Sequence, residues 1–310
     1  SMPLWLVAAL VASLVPLASP HDGPHTRIVG GTIVKAPNPW PFMGWMSSKG
    51  CTVNLVSSTW VVTAGHCVLN GPNNGFAADT AVIMQFGCLN VRSGCTQRKS
   101  KRVIPHPCYD PFADHDDVAM IELDQPLTLS DTIFPVNVDW SVHTHVGRNA
   151  TLIGWGATRG DAVGSSTDLL QVTVPIADDA YCEQQNPTFK AEETLDFNRV
   201  FCTGGEEGKD SCAGDSGGPA LIQENGQWLM AGVLSLGSEL PKSGAICGAK
   251  GRLAVYTRLS SYRDFLTVTL AGMTYTQSDC TVIQSAAPSL RPGLHLLLLA
   301  AVAISILFVA

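Results

Sequence analysis

The sequence is poor in charge, and poorer still in positive charge. Only 15% of its 310 residues are Asp, Glu, Lys or Arg, and 26 acidic residues against 19 basic ones leave a net charge of −7. Neutralising phosphates takes a surplus of Lys and Arg, so this balance argues against a nucleic-acid-binding protein. No C-x-x-C pair occurs, which leaves a zinc ribbon without support. No H-E-x-x-H occurs, so a metallopeptidase is not supported either. No internal repeat with a period of about 20–50 residues is present, which excludes a solenoid or propeller array. Helical periodicity is scarce.

What fills the chain instead is a series of short apolar runs, at residues 59–64, 81–86, 118–123, 151–154, 169–176, 229–236 and 253–257. Turn formers such as Asn70-Gly71-Pro72-Asn73-Asn74-Gly75 lie between them. Many short strands at this spacing point to an all-β sandwich or barrel. One helix is expected, over residues 261–270, where Tyr262, Phe265, Leu266 and Thr269 recur at helical spacing. Ser260 or Ser261 is placed to cap it and Gly272 to end it. The basic cluster Arg98, Lys99, Lys101 and Arg102 reads as a solvated face or loop, with a docking patch for acidic partners as the sharper alternative.

Both ends are apolar. Residues 3–18 form a short hydrophobic run closing on small residues, the pattern of a secretory signal peptide, although no Lys or Arg precedes it. Residues 294–310 form a second run, about the minimum length for a spanning helix. Ser285, Ala286 and Ala287 with a short spacer precede it, which favours replacement by a GPI lipid anchor over a retained transmembrane helix. Ten cysteines lie between Cys51 and Cys280. An even count in a chain with a signal peptide points to disulfides.

Three segments carry chemistry: Thr63-Ala64-Gly65-His66-Cys67, Asp117-Val118-Ala119-Met120, and Asp210-Ser211-Cys212-Ala213-Gly214-Asp215-Ser216-Gly217-Gly218-Pro219. A serine hydroxyl is a poor nucleophile at neutral pH and needs a base within hydrogen-bond reach. Histidine suits that role because its pKa lies near operating pH, and an orienting carboxylate completes the set. Each residue alone is more often structural; the constellation is what argues for catalysis. In their order His, Asp, Ser, the three segments resemble the signatures of the chymotrypsin/trypsin-like serine peptidases. The resemblance runs from Ile28 to about Gly272.

That resemblance implies two packed antiparallel six-stranded β-barrels with a C-terminal α-helix. The expected organisation is a signal peptide (1–19), a propeptide (20–27), and a peptidase domain (28–272). Within the domain the barrels fall at about 28–140 and 141–260, and the helix at 261–272. A stalk (273–293) and the hydrophobic anchor segment (294–310) follow. His66 matches the general base, Asp117 rather than its neighbour Asp116 the orienting carboxylate, and Ser216 the nucleophile. The N–H groups of Gly214 and Ser216 match an oxyanion hole. Arg27-Ile28-Val29-Gly30-Gly31 resembles an activation junction. Cutting after Arg27 frees the Ile28 amino group to pair with Asp215.

Asp210 matches the floor of the specificity pocket and implies cleavage after Lys or Arg, while Ser235, Gly237 and Ala254 match its walls. The Ala254 methyl narrows the pocket and favours Lys over the planar Arg fork, and Leu236 stands where tryptophan is common. The resemblance pairs Cys51 with Cys67, Cys182 with Cys202, and Cys212 with Cys247. Cys88 and Cys95 are placed for a local loop, which leaves Cys108 and Cys280. Asn149-Ala150-Thr151 is a glycosylation sequon. The stretch 70–79 lacks the glutamates of a calcium loop, and no metal or cofactor is expected. Expected partners are protein or peptide substrates, an activating protease, protein inhibitors, and a membrane through the anchor. Two rivals are a catalytically silent binding module on the same fold and an enzyme with chymotrypsin- or elastase-like taste. The complete triad argues against the first, and Asp210 against the second.

Overall fold

The computed structural model describes residues 28–71, 78, 81–111, 115–157, 165–185, 195–237 and 247–276. The signal-peptide and propeptide segments, Cys280, the small residues 285–287 and the tail 294–310 lie outside the described residues. Among those described, no helix is long and apolar enough to cross a membrane.

The first half is a closed six-stranded barrel. Its strands are β2 (Met43–Met46), β3 (Cys51–Leu55), β4 (Trp60–Thr63), β5 (Ile83–Phe86), β6 (Thr96–Pro105) and β7 (Ala119–Leu123), hydrogen-bonded in the order β2-β3-β4-β7-β6-β5. Apolar and β-branched residues make β3 and β4 good strands, and all of their residues are buried. The interior is filled by Met46, Val53, Leu55, Val61, Met84, Phe86 and Ile121. Gly44 makes room: a Cβ there would sit 2.5 Å from the Phe86 ring. The basic cluster is the outer side of β6, a strand face and not a loop. Lys101 and Arg102 both pair with Glu122 of β7, and the Arg102 guanidinium lies over the Trp60 ring.

The second half is an eight-stranded barrel-like sheet. Its strands are β1 (Thr32–Ile33), β8 (Asn137–Val138), β9 (Asn149–Gly154), β10 (Leu170–Pro175), β11 (Val200–Gly204), β12 (Pro219–Glu224), β13 (Gln227–Gly237) and β14 (Leu253–Arg258). The order is β1-β10-β9-β12-β13-β14-β11, with β8 parallel to β13. The curl brings β10 and β11 together: Ala177 N–H donates to Cys202 O at 2.9 Å just beyond the end of β10. The N-terminal strand β1 thus belongs to the second sheet although the chain then goes on to build the first. Helix α1 (Asp179–Gln185) is stapled to β11 by Cys182–Cys202.

A short 3₁₀ turn, Leu259–Tyr262, leads into helix α2 (Arg263–Leu270). The expected serine cap is absent because Ser261 Oγ donates instead to Asn198 O. Gly272, with φ +77°, ends the helix and donates to Thr269 O. The helix returns to the first half: Tyr262, Phe265 and Leu266 join its core, and the Tyr262 and Phe265 rings each meet the His106 ring edge-on. Burial pushes the His106 pKa down to about 4, from 6.5.

Candidate active site

His66 sits in the single 3₁₀ turn His66–Val68 that follows β4. The Cys51–Cys67 disulfide ties that turn to β3. Asp117, immediately before β7, grips the histidine twice: Oδ1 accepts from the His66 backbone N–H and Oδ2 from Nδ1, each at 2.8 Å. With Nδ1–H held by the carboxylate, Nε2 is the ring nitrogen left to accept a proton. The second half completes the grip, since Ser235 Oγ donates to Asp117 Oδ2 at 2.6 Å and Thr257 Oγ1 to the Asp117 carbonyl at 2.8 Å. Burial opposes ionisation of Asp117, but the His66 charge and hydrogen bonds and the Ser235 hydroxyl outweigh it, and the pKa falls below its ordinary value.

Asp116, one residue earlier, points elsewhere. Its Oδ1 accepts from Arg199 Nη1 at 2.6 Å and Tyr262 Oη at 2.8 Å, a structural tie between the halves. Its φ of +58° marks the twist that sends the two carboxylates apart.

The Ser216 segment of the second half is tied to the first half through its backbone. Thr52 N–H, beside Cys51, donates to Ser216 O at 2.8 Å, and Asn54 Nδ2 donates to Gly217 O at 2.7 Å. Gly217 packs on the end of β4: a Cβ there would lie 2.2 Å from Thr63 Oγ1 and 3.1 Å from Ala64 N, two residues short of His66. Gly214 has φ +97°, a conformation that calls for glycine. No backbone or side-chain acceptor among the described residues takes the N–H of Gly214 or of Ser216.

Asp215 is buried, and its carboxylate accepts from Gly156 N–H at 2.8 Å and Cys212 N–H at 2.9 Å. Burial pushes its pKa up to about 7, the two N–H groups hold it down in part, and nearby Asp210 raises it further. No cation pairs with it among the described residues. Gly154 and Gly156 leave the carboxylate its space, for a Cβ at either would overlap it, at 2.1 and 2.4 Å. Ile28 is fully buried in the core of the second half. Arg27 lies outside the described residues.

Beside Ser216 opens a cavity of about 190 Å³, lined by residues 211–213, Ser216, residues 234–237, Cys247 and Arg252. Of the expected pocket residues, Ser235 and Gly237 line it. Ala254 is buried and pairs with Gly237 across β13 and β14 without lining it. Asp210 lies behind the lining. Its Oδ2 accepts from Gly248 N–H at 3.0 Å and from Arg252 Nε at 3.1 Å. Burial pushes the Asp210 pKa up to about 6 against the pull of that N–H and of Arg252. Asp210, the pocket floor expected from the sequence, is thus paired with a cation of the chain itself. Nothing in the sequence singled out Arg252, because the direction of its side chain is not written in local spacing.

The four disulfides among the described residues are Cys51–Cys67, Cys88–Cys95, Cys182–Cys202 and Cys212–Cys247. Cys108 is disulfide-bonded as well. Two groups of potential metal ligands occur among the described residues, Cys51/His66/Cys67 and His106/Cys108/Asp116. Each includes a disulfide cysteine, which offers no thiolate. Asn149 is exposed at the start of β9.

Known proteins match over the same span. A profile of the trypsin family matches residues 28–266. The chain is 32% identical over 265 residues to coagulation factor IX of Oryctolagus cuniculus, covering 82% of this chain and 89% of the relative. It is 31% identical over 261 residues to the serine protease filzig of Drosophila melanogaster, covering 78% of this chain but only 14% of that much longer relative.

Proposed function

The chain belongs to the trypsin family and is a trypsin-like serine endopeptidase, and from that premise we propose that His66, Asp117 and Ser216 form its catalytic triad and that cleavage after Arg27 switches it on. The observation that carries this reading is the doubly hydrogen-bonded His66–Asp117 pair, at 2.8 Å, with Gly217, the neighbour of Ser216, packed on the end of β4 close to His66 in the chain.

In the proposed reaction Ser216 Oγ attacks the substrate carbonyl carbon while His66 Nε2 takes the hydroxyl proton. Asp117 keeps the ring oriented and stabilises its positive charge. The oxygen of the tetrahedral species accepts from the N–H groups of Gly214 and Ser216, which are free for that purpose among the described residues. The imidazolium then returns its proton to the departing amine, leaving an acyl ester on Ser216. Water repeats the sequence and releases the acid.

The switch rests on Asp215. A carboxylate buried without a cation is costly, and a new Ile28 ammonium beside it would remove that cost. The loop from Cys212 to Ser216 turns on this carboxylate, so pairing it orders both oxyanion donors. The disulfides suit an oxidising, secretory-pathway or extracellular setting. The apolar tail supports tethering by a lipid anchor; release from membranes by a phosphatidylinositol-specific phospholipase tests that part. The Lys/Arg preference read from Asp210 does not carry over unchanged, because Arg252 neutralises that carboxylate.

The test is hydrolysis of peptide reporters ending in Lys, Arg, Phe and Ala before and after cutting at Arg27, with Ser216→Ala as control. Activity that arises only after the cut and is lost in the control is the expected result. A correctly cut chain that cleaves none of them, and fails to react with a serine-directed phosphorylating reagent, would favour a binding module.

A further inference from the structure

We propose that Arg252 is a built-in occupant of the primary specificity pocket: it takes the place of a substrate's basic side chain on Asp210, so the enzyme cleaves after uncharged side chains and discriminates against Lys and Arg. The proposal rests on the reading of Ser216 as nucleophile, and names the substrate class of that same site.

The geometry supports occupation and not mere proximity. Arg252 Nε lies 3.1 Å from Asp210 Oδ2, and the two side chains are 7% and 2% exposed. The guanidinium extends across the pocket to the opposite wall. A Cβ built on Gly237 would meet Arg252 Nη2 at 2.5 Å, so the space that a glycine leaves for a substrate is used by Arg252. From inside the cavity the charged group a substrate meets is Arg252; Asp210 is not part of the lining. Asp210 is well supplied, with Gly248 N–H as a second donor to the same oxygen.

Charge then decides what can enter. The described lining offers no charge other than Arg252, and behind it stands one carboxylate. A Lys or Arg side chain would add a second buried cation beside a carboxylate that Arg252 already pairs, and would face that like charge. Expelling Arg252 does not relieve this cheaply, because Asp210 then waits unpaired until the substrate is seated. An uncharged side chain meets none of these costs. It rests on Cys212, Leu234 and Leu236, in a cavity of about 190 Å³.

The experiment uses the full chain cut after Arg27. Competent sites are first counted with a small serine-directed organophosphorus reagent, which needs the nucleophile but no side chain in the pocket. kcat/KM is then measured on matched reporters ending in Ala, Leu, Lys and Arg for the wild type, Arg252→Ala, and Arg252→Ala with Asp210→Asn. In the wild type the basic reporters should lag the better uncharged one by roughly tenfold or more. Arg252→Ala exposes Asp210 and should raise the ratio of basic to uncharged cleavage by roughly 100-fold. The double variant should lose that gain. A misfolded variant cannot produce new activity, and the wild-type ratio tests the idea even if Arg252→Ala is unstable. A wild type that prefers Lys or Arg, or an Arg252→Ala ratio that stays put or falls, overturns the proposal. Failure of the wild type to react with the organophosphorus reagent overturns the nucleophile reading itself, and the proposal with it.

Discussion

Removing the bond after Arg27 should change how stability depends on pH, and the size of the change follows from Asp215. In the uncut chain this buried carboxyl titrates at about 7, against 3.8 when unfolded. Between those values the folded chain keeps a proton that the unfolded chain has released, so stability falls as pH rises. For those two pKa values the integrated loss between pH 5 and pH 7 is about 2 kcal/mol. Other groups act in the same window. Asp210, raised to about 6, adds a loss of the same sign. His106, lowered to about 4, acts the other way, because the unfolded imidazole takes up a proton as pH falls below 6.5. His106 is common to the cut and uncut forms and cancels in the difference; Asp210, which couples to Asp215, cancels only in part. The assay is guanidinium unfolding of both forms at pH 5 and pH 7, on a Ser216→Ala background that prevents self-digestion. The advantage of the cut form over the uncut one should grow by about 2 kcal/mol from pH 5 to pH 7, because an ammonium partner keeps Asp215 ionised throughout. A difference that does not change with pH would refute the pairing of Ile28 with Asp215.

Three other substitutions separate catalytic from structural carboxylates and probe the contact between the halves. Asp117→Asn should lower kcat by about 10⁴, the loss that this change causes in the general serine-protease template, with folding stability nearly kept. Asp116→Asn, which loosens the ties to Arg199 and Tyr262, should instead cost about 1–3 kcal/mol in denaturant unfolding and leave kcat within a few-fold. If Asp116→Asn proves the more damaging to kcat, the assignment of the orienting carboxylate is wrong. Gly217→Ala places a methyl on Thr63 Oγ1 at a φ of +75° and should cost about 1–3 kcal/mol while displacing Ser216 from His66, read as a fall in both unfolding midpoint and kcat.

Much of this protein was readable before any fold was known. All seven of the apolar runs picked out lie in or overlap strands β4, β5, β7, β9, β10, β13 and β14. The reason is local: short continuous apolar runs bounded by turn residues mark buried strands. The strand β6 escaped that reading because Lys and Arg crowd its outer face and are held there by Glu122, a partner in another strand. The short β1 was invisible for a similar reason, since Thr32 and Ile33 are exposed and become a strand only through pairing with Leu170 and Gln171. The serine cap of the last helix failed because Asn198, far away in sequence, competes for the hydroxyl of Ser261.

The same division runs through the site. His66, Asp117 and Ser216 stand in short segments, and it is the resemblance of those segments, in that order, to the trypsin-like signatures that singles them out for the proposed triad. Gly214 could be picked out too, because a left-handed backbone position leaves a mark in one letter. The meaning of Asp210 could not. A carboxylate's role depends on what neutralises it, and Arg252 lies 42 residues further along the chain. Its side chain is buried, with the guanidinium lining the pocket. Only the closing of β13 against β14, which sets Gly237 opposite Ala254, brings that guanidinium within reach of Asp210.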